Sequence, residues 1–344
     1  MPTNVKENGF ESSIVSWLVQ HNGYEQGSNA DYNKEIAMDE TRLFRFLNTT
    51  QADKMKQLRL ENDPLEKEKF LQRLDQSLHT NGVIDLLRKG FRYKHLVLDM
   101  FYVRPSPGNE TAAKLYAQNI FSVTRQLQYS RQNPLLALDV CLFLNGLPIA
   151  TMELKNQLTK QNAADAVKQY KDERTPDEVL FGFKRCIVHF AVDDNEVRMC
   201  TELKGQKSWF LPFNKGYNDG AGNPPNPDGI KTDYLWKEIL RKDDFSNIIE
   251  NYVQIICDED EETHKKSYKQ IFPRYHQLQL VTSLLADAKR DGVGKRYLIQ
   301  HSAGSGKSNS IAWLAHQLVT LKDATDHNIF DTVIVVTDRV NLDK

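Results

Sequence analysis

The sequence has few cysteines, no long apolar run and almost no net charge, and each of these absences narrows the possible functions. Its four cysteines lie far apart, with no CxxC spacing. A structural zinc site and a disulfide framework are therefore both unexpected. No apolar segment approaches the ~20 residues of a membrane-spanning helix, and the polar N-terminus lacks the apolar core of a signal peptide. These absences predict a reduced, cytoplasmic protein with no membrane segment.

The charges are nearly balanced, because 45 Lys and Arg residues face 46 Asp and Glu residues, for a net charge of −1. The chain as a whole is thus not a polycation attracted to nucleic acid. Any nucleic-acid contact would come from local clusters or from a partner. The length of 344 residues exceeds what one hydrophobic core usually serves, and it predicts more than one domain.

The order of apolar patterns predicts an α/β chain in three parts. β-rich runs bounded by turn residues succeed one another between Leu96 and Thr201, and they indicate a first domain over residues 1–205. Residues 206–262 are rich in Gly, Asn and Pro at their start, which predicts a loop and helical linker. A second domain is expected over residues 263–344.

Three helical patterns are predicted in the first domain. Residues 9–24 form a short amphipathic pattern that ends at Asn22-Gly23. Residues 39–78 are mostly helical, with a break at Pro64. Residues 161–171 form a helix whose apolar stripe comprises Ala163, Ala164, Val167 and Tyr170.

A phosphate-binding pattern occupies residues 297–319. A predicted strand, Tyr297–Gln300, leads into a glycine-rich loop and then a helix. Gly304, Ser305 and Gly306 would wrap backbone N–H groups around an anion at the helix N-terminus. Lys307 would reach the β- and γ-phosphates of ATP, and Ser308 would hold Mg²⁺. His301 stands where the first glycine of GxxxxGK[ST] belongs, a position that varies in helicase-type loops. The alternative is an ordinary Gly/Ser turn before a helix.

Two flanking features favour the nucleotide site. Gln277, at the start of a helical stretch, resembles the adenine-reading glutamine of superfamily 2 helicases. Downstream, a second predicted strand ends in Thr337-Asp338-Arg339, which resembles a motif that touches the nucleic-acid backbone. No acidic box and no second lobe follow, so the sequence predicts a nucleotide-binding half-site and not a complete motor.

The stretch from Leu135 to Gln157 predicts a buried β-hairpin that carries three charges, on Asp139, Glu153 and Lys155. The even-numbered residues of both strands are apolar and every polar residue is odd-numbered, so the charges share one face. A two-residue Asn145-Gly146 turn would pair odd with even residues. We therefore predict a three-residue loop that includes Leu144, with Gly146 left-handed and Asp139 opposite Thr151.

Two carboxylates at one end of an apolar hairpin repel each other unless a cation is present. Mg²⁺ prefers a few carboxylates and several waters, so Asp139 and Glu153 are candidate metal ligands. Lys155 could orient or deprotonate a water that attacks a phosphodiester. The alternative is a structural ion pair at a strand end, and the spacing does not separate the two. His189 lies in an apolar strand and is predicted to be a core histidine.

The D-x(n)-ExK pattern resembles the PD-(D/E)xK nuclease motif, with Leu138 in place of the proline. The segments LDVCLFLNGLPIATMELKNQ, FKRCIVHFAVD and FLPFNKG, followed by a helicase-type phosphate loop, resemble the restriction (R) subunit of type I restriction-modification enzymes. The resemblance runs from about Phe10 to the end of the sequence. It implies a restriction-endonuclease-like mixed sheet flanked by helices, followed by the incomplete first RecA-like domain of a helicase motor.

The resemblance also implies further site residues. Glu11 matches an acidic residue that supports the metal site, although a helix-start carboxylate explains it equally well. Tyr170 matches the tyrosine of a QxxxY motif, but Ala166 stands where the glutamine belongs. Gln161 and Gln169 are the candidate substitutes.

The function implied is Mg²⁺-dependent cleavage and ATP-driven translocation of double-stranded DNA, together with modification and specificity subunits. One alternative is a translocase whose nuclease-like domain is an inactive docking module. A weaker alternative is a nucleotide-binding structural ATPase unrelated to DNA.

Overall fold

The computed structural model describes residues 7–105, 108–156, 160–260, 263–323 and 325–336. These residues form two compact units, one that ends at Phe272 (Gly108 excepted) and one that begins at Pro273. The division by packing thus differs from the boundaries predicted at residues 205 and 262.

The strands of the first unit are mostly short, with three longer ones at the centre. They are β1 Glu25–Gln26, β2 Tyr32–Asn33, β3 Met38–Asp39, β4 Phe91–Tyr93, β5 Leu96–Leu98, β6 Phe121–Gln128, β7 Ala137–Leu144, β8 Leu147–Leu154, β9 Val188–Val192, β10 Val197–Cys200, β11 Leu211–Pro212, β12 Gln254–Glu259 and β13 Lys266–Ile271.

One mixed seven-stranded sheet, in the order β1-β6-β7-β8-β9-β10-β11, organises the first unit. β6, β7 and β8 form an antiparallel meander, whereas β8 and β9 run parallel. Parallel neighbours need a crossover connection, and a helix supplies it here. Both faces of β8 are buried, so the sheet lies between layers of helices, which confirms the predicted α/β class.

The first unit also contains helices, several of which pack against strands of this sheet. They are α1 Glu7–Gln20, α2 Glu40–Thr50, α3 Ala52–Leu58, α4 Pro64–Asn81, α5 Val83–Lys89, α6 Glu110–Ala117, α7 Ala163–Glu173 and α8 Lys242–Asn251, with a 3₁₀ turn at Val179–Phe181 and a π-helix at Leu235–Ile239. The predicted break at Pro64 is the start of α4, where Asp63 caps the helix and Pro64 fills its first turn.

The hairpin of β7 and β8 closes through a two-residue turn, so the predicted three-residue loop is wrong. Leu144 pairs with Leu147, and the backbone φ angles of Asn145 and Gly146 are 51° and 84°. These left-handed angles belong to the turn type that Asn-Gly favours. The register then shifts between Phe143↔Pro148 and Leu142↔Ala150.

This shift is a bulge at Ile149, beyond which odd-numbered residues again pair with odd-numbered ones and even with even. The three-residue loop was predicted to produce the same kind of pairing. The bulge follows Pro148, which has no N–H to give to the ladder. Beyond it, Cys141 pairs with Thr151 and Val140 with Met152. Asp139 is consequently not opposite Thr151 as predicted, because continuing this register by one residue places it opposite Glu153.

The crossover helix α7 lies over the hairpin and differs slightly from its prediction. Asn162 and Asp165 form a capping box at its start. Its buried residues are Ala163, Ala166 and Tyr170, whereas Ala164, predicted in the apolar stripe, is exposed. The buried positions are spaced by three and then four residues, so they lie on one face of the helix.

Residues 206–260, predicted as a linker, pack into the first unit. Leu235 and Leu240 are fully buried, as are Phe245 and Ile249 of the following helix. Tyr234 donates a hydrogen bond from its hydroxyl to the Phe213 carbonyl at 2.6 Å. The apolar side chains of this segment thus pack into the core of the first unit.

The second unit contains α9 Tyr275–Asp291 and α10 Lys307–Val319, which pack against each other. The strand predicted at Tyr297–Gln300 does not form, and neither does one at residues 332–336. Leu298 is 99% exposed and Ile334 is 79% exposed. An extended segment becomes a strand only with a hydrogen-bonded neighbour, and neither segment has one among the described residues. Thr337-Asp338-Arg339 lies outside the described residues.

Across the described parts of both units, no helix combines the length and the apolar character that crossing a membrane requires.

Candidate active site

The open end of the β7–β8 hairpin brings Asp139 and Glu153 together. The negative charge of Asp139 contributes to raising the pKa of Glu153. One oxygen of Asp139, Oδ2, accepts a 2.7 Å hydrogen bond from the backbone N–H of Leu154. The carboxylates that the parity argument placed on one face therefore lie close enough to interact.

Glu153 is a fully buried carboxylate with its two oxygens in different surroundings. Oε1 accepts a hydrogen bond from Arg174 Nε at 2.5 Å, whereas Oε2 has no hydrogen-bond partner among the described residues. Burial, reinforced by the charge of Asp139, raises the pKa of Glu153 to about 8, against the opposing influence of Arg174 and Lys155. An ionised Glu153 thus needs further positive charge.

Glu11 of α1 joins the same cluster through Gln126 of β6. The amide nitrogen Nε2 of Gln126 donates to Glu11 Oε2 at 2.7 Å and to Asp139 Oδ1 at 3.2 Å. Arg125 also donates to Glu11, at 2.7 Å. Burial raises the pKa of Glu11, and the charge of Asp139 adds to this. The sequence-predicted Glu11 is therefore next to Asp139, and Gln126 is a linking residue that sequence reasoning missed.

Lys155 continues β8 beyond Glu153 and borders a cleft. Its backbone N–H donates to the Val192 carbonyl at 2.9 Å, which extends the parallel pairing with β9. The cleft has a volume of about 330 Å³. Lys155 forms its wall together with Gln161, which precedes α7, and with the polar face of α7, namely Asp165, Lys168, Gln169, Asp172 and Glu173. Lys155 therefore lies on a polar cleft that runs beside α7.

Tyr170, predicted as a catalytic residue, is buried in the core under the sheet. Its hydroxyl forms a 2.8 Å hydrogen bond with Thr151 Oγ1, and burial raises its pKa well above the usual value. Ala166, at the glutamine position of the motif, is also buried. Of the two candidate substitutes, Gln161 lines the cleft, and so does Gln169, whose Oε1 is buried with no described hydrogen-bond partner.

His189 is a core histidine, as predicted. It is buried on β9 and its Nδ1 lies 2.7 Å from Thr151 Oγ1. Burial lowers its pKa to about 3, so the ring is neutral at physiological pH.

The carboxylates fit a hard divalent cation in part. Among the described residues, no group of three or more His, Cys, Asp or Glu side chains is arranged to hold a metal ion. The buried Oε2 of Glu153 nevertheless lacks a hydrogen-bond donor, and a cation would satisfy it. Mg²⁺ commonly takes one or two carboxylates and completes its shell with water or phosphate oxygens. Asp139 and Glu153 could hold it in that way.

Arg174, like Gln126, is a residue of this cluster that the sequence did not reveal. It follows Tyr170 by one helical turn and caps α7, just beyond the predicted helix end at Lys171. The available signal in the sequence was its position four residues after Tyr170, because residues four apart lie on the same face of a helix. Its guanidinium, 2% exposed at the side chain, forms an ion pair with Glu153.

The glycine-rich loop of the second unit has backbone angles that suit an anion-binding turn. Gly304 and Gly306 have φ angles of 73° and 82°, and Gly306 precedes the first residue of α10. Lys307 and Ser308 are exposed at that helix N-terminus. Ser305 is buried, and its Oγ lacks a partner among the described residues.

Gln277 connects the loop to α9 through both ends of its amide. Its Nε2 donates to the Gly306 carbonyl at 2.8 Å, and its Oε1 accepts from the Arg274 backbone N–H at 2.9 Å. Contact with an adenine would require these bonds to rearrange, so the adenine-reading role stays a prediction.

Comparison with known proteins gives concordant results. A family model described as the type I restriction enzyme R protein N terminus matches residues 4–208. Over 237 residues the chain is 26% identical to the type I restriction enzyme HindI endonuclease subunit of Haemophilus influenzae, covering 66% of this chain and 21% of that protein. Over 212 residues it is 24% identical to a putative type I restriction enzyme MjaVIIIP endonuclease subunit of Methanocaldococcus jannaschii, covering 58% and 18%.

The chain therefore spans about a fifth of the length of these curated relatives. The residues of the candidate active site, from Glu11 to Arg174, all lie inside the range matched by the family model.

Proposed function

Because the chain belongs to the family of type I restriction enzyme R proteins, matched through their N-terminal part, we propose that its first unit cleaves double-stranded DNA with Mg²⁺ held by Asp139 and Glu153. The observation that carries the proposal is the buried Oε2 of Glu153, an acceptor that no described group satisfies. The endonuclease names of the two relatives support the same activity.

The residues of the cluster divide the work of hydrolysis. When bound, Mg²⁺ would polarise the phosphodiester and stabilise the leaving oxygen. Asp139 would be held in place by the N–H of Leu154 and the amide of Gln126. Lys155 would orient the attacking water or take its proton. Glu11 would act through the Gln126 amide that it shares with Asp139.

The proposal extends to the second unit, where Gly304, Ser305 and Gly306 would surround the phosphates of ATP. The left-handed angles of the two glycines support this role. Lys307 would pair with the β- and γ-phosphates, and Ser308 would hold the accompanying Mg²⁺. As the first RecA-like part of a helicase motor, this unit would bind the ATP whose hydrolysis drives translocation along DNA.

The relatives are named as subunits of restriction enzymes, which supports a multi-subunit complex. We propose modification and specificity subunits as its other members, with the specificity subunit reading the DNA sequence. The near-zero net charge of this chain is consistent with that division of labour. The complex would act in the cytoplasm.

A second candidate function is a translocase whose nuclease-like unit is an inactive docking module. The ion pair between Arg174 and Glu153 favours it, because a guanidinium already occupies one oxygen of the proposed ligand. A substitution experiment separates the two functions.

The experiment measures Mg²⁺-dependent nicking of supercoiled plasmid by the wild-type chain and by Asp139→Ala and Lys155→Ala. We expect each substitution to reduce the rate by at least about 10²-fold, which is the scale of a positioned catalytic group. Cleavage that survives both substitutions would contradict the assignment.

Mn²⁺ binding, followed by electron paramagnetic resonance, gives a readout that does not require turnover. The wild-type chain should bind Mn²⁺ and Asp139→Ala should not. A wild-type chain that binds no Mn²⁺ and cleaves no DNA would support the inactive docking module instead.

A further inference from the structure

We propose that Arg174 is a positioning residue for the metal: it anchors one oxygen of Glu153 so that the other is presented to the cation. This inference rests on the proposed function, since it concerns the same site. It assigns a role in metal binding to a residue that belongs to neither the carboxylate pair nor Lys155.

The contacts of Arg174 span both strands of the hairpin. Its Nε donates to Glu153 Oε1 on β8 at 2.5 Å. One terminal nitrogen donates to the Ala137 carbonyl on β7 at 2.9 Å, two residues before Asp139. The other donates to the Tyr129 hydroxyl at 3.0 Å. The guanidinium therefore links the strand that carries Asp139 to the strand that carries Glu153.

This arrangement distinguishes the two oxygens of Glu153. A planar guanidinium bonded in three directions has one orientation, and it fixes the carboxylate that it binds. Oε1 is consumed by that bond, whereas Oε2 is buried and without a described partner. A cation entering between Asp139 and Glu153 would meet an oriented ligand, and the rotamer entropy of Glu153 would already have been lost.

Lysine could not replace this geometry in full. An ammonium could reach Glu153, but it would not hold Ala137 and Tyr129 with the same planar fork. The alternative is that Arg174 only neutralises a buried acid and supports the fold. A purely structural arginine would alter the stability of the unit without changing the affinity of the folded protein for metal.

The test measures Mn²⁺ affinity of folded protein by electron paramagnetic resonance for wild type, Arg174→Gln and Arg174→Lys. Groups that orient metal ligands typically change affinity by about 10- to 100-fold. We expect a loss in that range for Arg174→Gln and a smaller loss for Arg174→Lys. In nicking assays the half-saturating Mg²⁺ concentration should rise more than the rate at saturating Mg²⁺ falls.

The chain offers two matched controls. Arg185 is a second buried arginine of the same unit, 4% exposed and paired with Asp75 at 2.7 Å. Arg185→Gln should lower the unfolding temperature without changing Mn²⁺ affinity. Tyr129→Phe removes one bond to Arg174 but keeps its bond to Glu153, and it should change Mn²⁺ affinity less than Arg174→Lys.

Mn²⁺ affinity that is unchanged or tighter in Arg174→Gln would overturn the inference, as would an equal loss in Arg185→Gln. If Arg174→Gln does not fold, an Arg174→Lys variant with wild-type affinity overturns it equally. The Asp139→Ala variant separates failure of the proposed metal site from failure of the proposed role of Arg174. If Asp139→Ala abolishes Mn²⁺ binding while Arg174→Gln leaves the Mn²⁺ affinity unchanged, only this inference fails. If neither substitution changes the Mn²⁺ affinity, the proposed metal site fails as well.

Discussion

The β7–β8 hairpin and the glycine-rich loop were comparably clear in the sequence, yet they receive very different support from the structure. The hairpin is buried on both faces of β8 and lies inside a seven-stranded sheet. The glycine-rich loop has the expected backbone angles, but the segment before it is exposed, with Leu298 at 99%. A local motif thus forms from local preferences, whereas a strand forms only where the chain supplies its neighbours.

The difference has a consequence for chemistry. At the hairpin, the sheet and α7 enclose Glu153 and exclude water from it, which strengthens every electrostatic interaction there. At the loop, Lys307 and Ser308 are exposed, so their charges and hydroxyls are screened by solvent. We therefore expect perturbation of the hairpin to have larger effects than equivalent perturbation of the loop.

The largest expected contrast is in amide hydrogen exchange. Amides of Ala150 and Met152 in the centre of β8 should exchange only on unfolding of the first unit. For a stability of about 5 kcal/mol this slows exchange by at least about 10³-fold. Amides of residues 297–300, which belong to no strand, should exchange at nearly the rate of an unstructured peptide. Mass-spectrometric exchange at peptide resolution measures both rates. Strong protection at residues 297–300 would contradict the expected difference between the hairpin and the loop.

Two glycines, one in the hairpin turn and one in the glycine-rich loop, allow the two regions to be compared by the same substitution. Gly146 in the hairpin turn has φ +84°, and an added Cβ would lie 2.4 Å from the Asp39 carbonyl oxygen. Gly304 has φ +73°, but no described atom lies within 4 Å of its Cβ position. Backbone strain costs about 1 kcal/mol at both sites, and overpacking adds about 2 kcal/mol at Gly146. Urea denaturation should show Gly146→Ala losing about 3 kcal/mol and Gly304→Ala about 1 kcal/mol.

Asparagine tolerates left-handed angles, so Gly304→Asn should cost less than Gly304→Ala. Equal losses in the free energy of unfolding for Gly146→Ala and Gly304→Ala would contradict the close packing around the hairpin turn.

A smaller effect concerns pH. His189 has its pKa lowered to about 3 by burial, against about 6.5 in an unfolded chain. Between these values only the unfolded state binds the proton, so the stability contributed by His189 is complete above pH 6.5 and declines as pH falls. From pH 7 to pH 5 the loss is about 2 kcal/mol. Urea titrations at both pH values should show this difference shrinking in His189→Gln.

Other titrating groups, including Glu153, are common to wild type and variant and cancel in this comparison. His276 of the second unit also has its pKa lowered by burial, but it is only partly buried. His276→Gln should therefore alter the pH dependence less than His189→Gln, and the reverse order would contradict the burial argument.

The parts of the fold that the sequence predicted well depend on local periodicity. Alternation placed β7 and β8 and assigned Asp139 and Glu153 to one face, and the resemblance brought Glu11 to the same place. The three-residue loop was wrong because parity alone cannot tell a bulge at the turn from a bulge at Ile149. Pro148, which lacks an N–H, was the signal that parity did not use.

The parts that escaped prediction depend on contacts distant in sequence. Arg174 meets Glu153 across 21 positions, and only the crossover helix α7 brings them together. Residues 206–260 were predicted as a linker because Gly, Asn and Pro crowd the start of this segment. Leu235 and Phe245 are nevertheless fully buried. The strand at Tyr297–Gln300 failed for the converse reason, since its pattern was right but it has no described partner.

The most direct test of the central claim is a crystal structure of the chain with Mn²⁺, located by its anomalous scattering. We expect a peak within about 2.0–2.4 Å of Asp139 and of Glu153 Oε2, with Arg174 still bonded to Oε1. A peak elsewhere, or no peak at saturating Mn²⁺ with the Arg174–Glu153 pair intact, would contradict it.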